Sequence, residues 1–100
     1  LVKFLTDKIF RKPALRYAAK LRSAGIEAQT YCFSWHPQGS ELGACHSIEL
    51  PFLLGKPEDW GAAEMLQRMT REEYEANSSK FQSLWTKFAR SGEFPATGSI

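Results

Sequence analysis

Apolar positions recur along the chain with more than one spacing, and each spacing predicts a different element. Phe10, Ala14, Tyr17, Ala18 and Leu21 fall at i, i+4, i+7, i+8 and i+11, the stripe of an amphipathic helix. Thr6 and Asp7 precede it as a capping pair. Pro13 lies close enough to that start to be tolerated, with a kink, and Gly25 stands where helices commonly close. The pattern predicts helix over 7–24. Over 27–35 the period drops to two. Tyr31, Phe33 and Trp35 point to one face, and Ala28, Thr30, Cys32 and Ser34 to the other. This alternation of large and small β-formers predicts a strand of a sheet covered on both faces.

Pro37, Gly39, Ser40 and Gly43 make 36–47 a loop. Ser47–Leu54 reads either as a short helix or as an apolar extended run. Gly55, Pro57 and Gly61 bound another loop, and Ala62–Met69 reads as a brief helix. The last helix is predicted over 70–91. Thr70 and Glu73 have the spacing of a capping box, and Tyr74, Phe81, Leu84, Trp85 and Phe88 mark one apolar face. Gly92 ends the helix and Pro95 follows. A single strand cannot satisfy its own backbone groups. Unless Leu1–Leu5 or Pro51–Leu54 supplies another, the rest of the sheet lies elsewhere. The order of elements points to part of an α/β protein, or to a chain that completes its sheet by self-association.

Composition narrows the classes. Of 100 residues, 43% are hydrophobic, 13% aromatic and 24% charged, as in an ordinary globular domain. A formal charge of +2 is too weak to argue for nucleic acid or an anionic membrane surface. The longest apolar run, Ile48–Leu54, is interrupted by Glu49 and Pro51 and falls far short of a membrane span. Cys32 and Cys45 are the only cysteines, too few for a disulfide framework. The chain opens on Leu1 directly into patterned sequence and trails off over 93–100, so both ends read as cuts in a longer chain.

Two histidines could carry chemistry. His46 follows a glycine-containing loop that follows the predicted strand. A general base held there can reach a nucleophile on a neighbouring strand, although a lone loop histidine is more often structural. His36, before Pro37, reads as a surface histidine. His36, Cys45 and His46 do not have the spacing of a known zinc site. Cys45 and His46 are adjacent, a poor geometry for a dyad, and both cysteines read as buried thiols. Glu49 could orient the His46 imidazole if the segment is helical, or satisfy backbone donors in the loop; the second role is favoured. Ser34, Ser40 and Ser47 lack the Gly-x-Ser-x-Gly setting of an exposed nucleophile, and no such motif occurs in the sequence.

Thr6-Asp7-x-x-Phe10-x-x-Pro13-Ala14, the aromatic strand, Gly43-Ala44-Cys45-His46-Ser47-Ile48-Glu49-Leu50-Pro51-Phe52-Leu53-Leu54-Gly55 and Leu84-Trp85-Thr86-Lys87-Phe88-Ala89-Arg90-Ser91-Gly92-Glu93 together resemble the last part of the type-B carboxylesterases. This family includes bacterial para-nitrobenzyl esterases and animal cholinesterases. The resemblance covers nearly the whole chain, in the family's order and at about its spacing. It departs at Glu93-Phe94-Pro95, where the family usually has an acidic residue, Pro and Asn. It implies a C-terminal fragment of an α/β-hydrolase, mainly helical with one or two strands. It also implies that His46 is the catalytic triad histidine, with the Thr6–Asp7 helix and Glu49 structural. The serine, the acidic partner and the oxyanion loop would lie upstream, so the fragment would be inactive alone.

No cofactor and no metal are expected. The partner would be a carboxylic ester, with neither nucleic acid nor membrane involved, and a bacterial source would favour the cytoplasm. The fold also hosts non-catalytic binding and adhesion proteins, and a free-standing interaction domain is a third reading. The unpaired strand and exposed aromatic faces predict that the isolated chain self-associates.

Overall fold

The computed structural model describes residues 1–94 and the short strand Gly98–Ser99. The chain is mainly helical and divides into two compact units, one built on Leu1–Tyr31 and one beginning at Cys32.

In the first unit, helical backbone runs without a break from Val2 to Ser23: α1 (Val2–Thr6), a wider π turn (Asp7–Arg11) and α2 (Lys12–Ser23). The expected start at residue 7 is therefore corrected. Thr6 is itself helical and makes no side-chain cap, because the upstream Val2–Leu5 residues already form a turn. Asp7 instead faces Arg11 at 3.7 Å, one turn ahead. Pro13 consequently stands inside a helix rather than near its start. It has no N–H to give, so the hydrogen-bond ladder is interrupted there whatever the register. The change to i→i+5 bonding falls just before it, with the Lys12 N–H donating to the Asp7 carbonyl. The helix ends as Gly25 suggests. Gly25 has φ 79°, its N–H donates to the Arg22 carbonyl at 3.0 Å, and the Ile26 N–H donates to the Leu21 carbonyl at 2.9 Å. This pair of bonds is a Schellman closure. The Arg22 guanidinium, donating to the Ala28 carbonyl at 2.7 Å, holds the departing chain.

The strand expected over 27–35 shrinks to β1 (Tyr31–Cys32), paired with β2 (Gly98–Ser99) in a two-stranded sheet. Ladder pairing defines a strand, and among the described residues of that stretch it is confined to Tyr31–Cys32. Its alternation persists: Phe33 and Trp35 are half-buried, while Cys32, Ser34 and His36 are exposed.

The second unit is organised by α3 (Leu50–Leu54) lying on α4 (Arg71–Ser91). Between them run two short 3-10 turns: Pro57–Trp60, in the stretch expected to be loop, and Glu64–Leu66, all that forms of the brief helix expected over 62–69. The core is Ile48, Phe52, Leu66, Tyr74 and Phe81. Phe33 stacks on Phe52 with centroids 5.7 Å apart and tilts against Phe81 at 5.2 Å, and Trp35 meets Phe52 edge-on at 5.2 Å. Offset and edge-on pairs of this kind add to the gain from buried area.

Helix α4 opens with a complete capping box. The Glu73 N–H donates to Thr70 Oγ1 at 3.1 Å, and the Thr70 N–H donates to Glu73 Oε2 at 2.9 Å. Its first turn also carries Arg71 between Glu75 at 2.9 Å and Glu58 at 3.6 Å. The Glu75 hydrogen bond first, then both charges, raise the Arg71 pKa above its ordinary value. The pair is fully solvated, so it contributes little to stability. Gly92, at φ 70°, receives the end of the helix, its N–H donating to the Phe88 carbonyl at 2.8 Å. Pro95, expected to reinforce that stop, lies outside the described residues.

Candidate functional site

The segment around His46 is built by a chain of short turns. The Ser40 N–H closes a turn onto the Pro37 carbonyl at 3.1 Å, and Gly39 supplies the left-handed residue it needs. A side chain on Gly39 would press on the Arg68 guanidinium, at 3.0 Å from Nη1. The Cys45 N–H then reaches the Gly43 carbonyl at 2.9 Å, and the Ile48 N–H reaches the Cys45 carbonyl at 3.2 Å.

His46 and Ser47 are the two central residues of this last turn. Ser47 takes φ 67°, alone among the non-glycine residues described. A left-handed residue at that position defines a type II turn, which glycine normally fills, and holding serine there stores strain. The turn leaves the His46 imidazole exposed while Ile48 is 1% exposed in the core. The chain enters α3 at once, with the Leu50 N–H donating to the Ser47 carbonyl and the Phe52 and Leu53 N–H groups donating to the Glu49 carbonyl.

Helix α3 is only five residues long, so its last carbonyls have no partners within it. The Gly55 N–H closes onto the Pro51 carbonyl at 3.3 Å, and helix α4 adds further donors from residues one turn apart. Ser78 Oγ donates to the Phe52 carbonyl at 2.7 Å, and the Gln82 amide donates to the same carbonyl at 3.1 Å and to Ser78 Oγ at 3.0 Å. Tyr74 Oη lies 2.6 Å from the Gly55 carbonyl and 3.0 Å from that of Pro51. It has one proton to share, which favours the shorter contact. Gly55 is required here by space, because any side chain would collide with the Trp60 indole. Each bond has a net worth of about 0.5–1.5 kcal/mol, and leaving one of these carbonyls unpaired would cost about 1–3 kcal/mol.

The other candidate residues lie apart from this arrangement or serve it structurally. His36 is exposed, with Nδ1 3.1 Å from the Pro37 carbonyl oxygen. The Cys45 thiol is half-buried and lies 3.9 Å from Met65 Sδ, but Cys32 is exposed, against the expectation of two buried thiols. Glu49 precedes α3 without capping it through its carboxylate. Among the described residues no group of three His, Cys, Asp or Glu side chains could hold a metal ion, and no helix is long and apolar enough to cross a membrane. A cavity of about 300 Å³, lined by Pro37, Leu42, Glu64, Met65 and Arg68 among others, adjoins the Cys45–Met65 contact. The polar groups of Tyr74, Ser78 and Gln82 were not singled out by the sequence. The available signal is their spacing at i, i+4 and i+8 along α4, with Tyr74 and Ser78 buried and Gln82 at the edge of that face.

Comparison with known proteins agrees with the resemblance seen in the sequence. The model of the carboxylesterase family matches residues 1–98. The chain is 32% identical over 100 residues to the para-nitrobenzyl esterase of Bacillus subtilis (strain 168), covering 99% of this chain and 20% of that protein. It is 29% identical over 85 residues to a probable N-octanoylanthranilate hydrolase, AqdA2, of Rhodococcus erythropolis, covering 84% of this chain and 18% of that one. The chain thus spans about a fifth of the length of these curated relatives. No solved structure matches it. On the family match and the identity to the esterase, the chain belongs to the carboxylesterase family.

Proposed function

We propose that this chain is the C-terminal part of a serine carboxylic-ester hydrolase with the α/β-hydrolase fold, and that His46 is its catalytic general base. The observation that carries this reading is the placement of His46. Its imidazole is exposed on a turn whose next residue holds a strained conformation and whose following residue is buried. A base must present its ring outward on a backbone that does not move.

In the complete enzyme, His46 takes the proton of an upstream serine as that serine attacks the ester carbonyl. It then protonates the departing alcohol, and finally activates the water that releases the acid. Proton transfer of this kind contributes about 10²–10⁴ in rate. This sequence contains no Gly-x-Ser-x-Gly nucleophile, so the chain alone is inactive. Its N-terminal helix exposes Leu1, Val2, Phe4, Ile9, Phe10 and Tyr17, and this apolar surface makes the isolated chain self-associate.

The test is hydrolysis of a short-chain para-nitrophenyl ester by the chain alone, and by a hybrid in which it replaces the matching fifth of the Bacillus subtilis esterase. The chain alone should match free imidazole, the hybrid should turn over, and His46→Ala in the hybrid should lower kcat by about 10³ or more. Undiminished turnover by the His46→Ala hybrid would remove His46 from the chemistry.

A further inference from the structure

The turn that presents His46 does not hold itself. Its closing bond at 3.2 Å is a single backbone contact, and Ser47 sits in a conformation that costs energy to keep. The segment just after the turn is firmer. Ile48, Pro51 and Phe52 are fully buried, and the Ser47 and Glu49 carbonyls are tied to the first N–H groups of α3 and its flank. The turn is therefore as well placed as α3 is. With five residues, α3 is too short to be rigid alone. Its position along α4 is set at its far end, where Ser78 and Gln82 converge on the Phe52 carbonyl and Tyr74 bridges the Pro51 and Gly55 carbonyls. The rings packed on Phe52 fix how deep α3 lies. Hydrogen bonds to particular carbonyls add a directional hold along α4.

We propose that Ser78 and Gln82, with Tyr74, are positioning residues for His46: they fix the register of α3 on α4 and thereby hold the His46–Ser47 turn in its strained form. The proposal rests on the reading of His46 as the general base for its catalytic consequence, but its mechanical part is independent of that reading. Removing the Ser78 hydroxyl leaves the Phe52 carbonyl with the Gln82 amide alone. The helix then shifts, Ser47 relaxes out of the left-handed region, and the imidazole turns away from its working direction.

Two measurements separate the parts. The first is NMR of this chain with isotope-labelled histidine and serine. Ser78→Ala and Gln82→Met should both move the His46 ring and Ser47 amide signals, while Ser83→Ala, on the exposed side of α4, should not. Ser78→Thr, which keeps the hydroxyl, should restore them. Gln82 is exposed, so its replacement leaves the fold intact even if Ser78→Ala does not. Signals that move no more for Gln82→Met than for Ser83→Ala overturn the proposal. The second is the hybrid esterase, assayed well below its melting temperature. Gln82→Met and Ser78→Ala should each lower kcat about tenfold with KM within about twofold, the mark of misplacement rather than of lost binding. A purely structural clamp would lower the melting temperature and leave kcat per folded molecule unchanged, and that result also overturns the proposal. If instead His46→Ala leaves the hybrid fully active, the general-base reading fails while the NMR displacements still stand.

Discussion

The two long helical stretches share an amphipathic pattern and have opposite fates. Along Val2–Ser23 only Ala18 is buried, while Phe10 and Tyr17, central to the apolar stripe, stay 64% and 66% exposed. Along α4 the corresponding face buries Tyr74, Ser78 and Phe81, the last with no exposed surface. The difference is the partner. Helix α4 has α3 and Phe33 laid against it within its own unit, whereas among the described residues the N-terminal helix has no comparable element inside its own unit. Periodicity says that a face is apolar; it does not say what covers it.

Three substitutions test this contrast. The largest effect is expected for Phe81→Ala, which empties the centre of the second unit and should cost about 3–5 kcal/mol. That is a large share of the roughly 5–15 kcal/mol that holds a domain together, so urea unfolding followed by tryptophan fluorescence should lose most of its native baseline. An unchanged midpoint would mean that the α3–α4 core does not hold the unit. Thr70→Ala removes the cap from α4 and should cost about 1 kcal/mol, with Thr70→Ser close to neutral in the same experiment. Phe10→Ser, on the uncovered helix, should change stability by less than about 0.5 kcal/mol, yet it should shift the isolated chain toward monomer in a sizing experiment. A monodisperse monomer of the unsubstituted chain at high concentration would dismiss self-association.

What was legible in the sequence was what neighbours in sequence decide. The Thr70–Glu73 box, the closure at Gly25 and the end at Gly92 each depend on residues a few positions apart, and each is present. At 27–35 the alternation marks two faces but does not make a strand, because a strand exists only by pairing and the pairing is confined to Tyr31–Cys32. The misplaced helix start at Thr6–Asp7 came from a good capping pair that lies inside a helix already begun. At the candidate site, the loop before His46 was announced by its glycines. The left-handed Ser47 was not, because nothing in a serine's identity asks for that conformation. Nor was the hold of Tyr74, Ser78 and Gln82 on α3, since side-chain bonds to distant carbonyls leave no mark on periodicity.

The hold on α3 is also ordered in time. The residues that grip its carbonyls lie 19, 23, 26 and 30 positions further along the chain. A ribosome adding about 5–20 residues per second reaches Gln82 about 2–6 seconds after Phe52. Through that interval the nascent segment Ile48–Leu54 carries its apolar side chains and unpaired carbonyls without the helix that will seat them. The segment bearing His46 is therefore made early and finished late, seated only once the α4 residues that grip it have also left the ribosome.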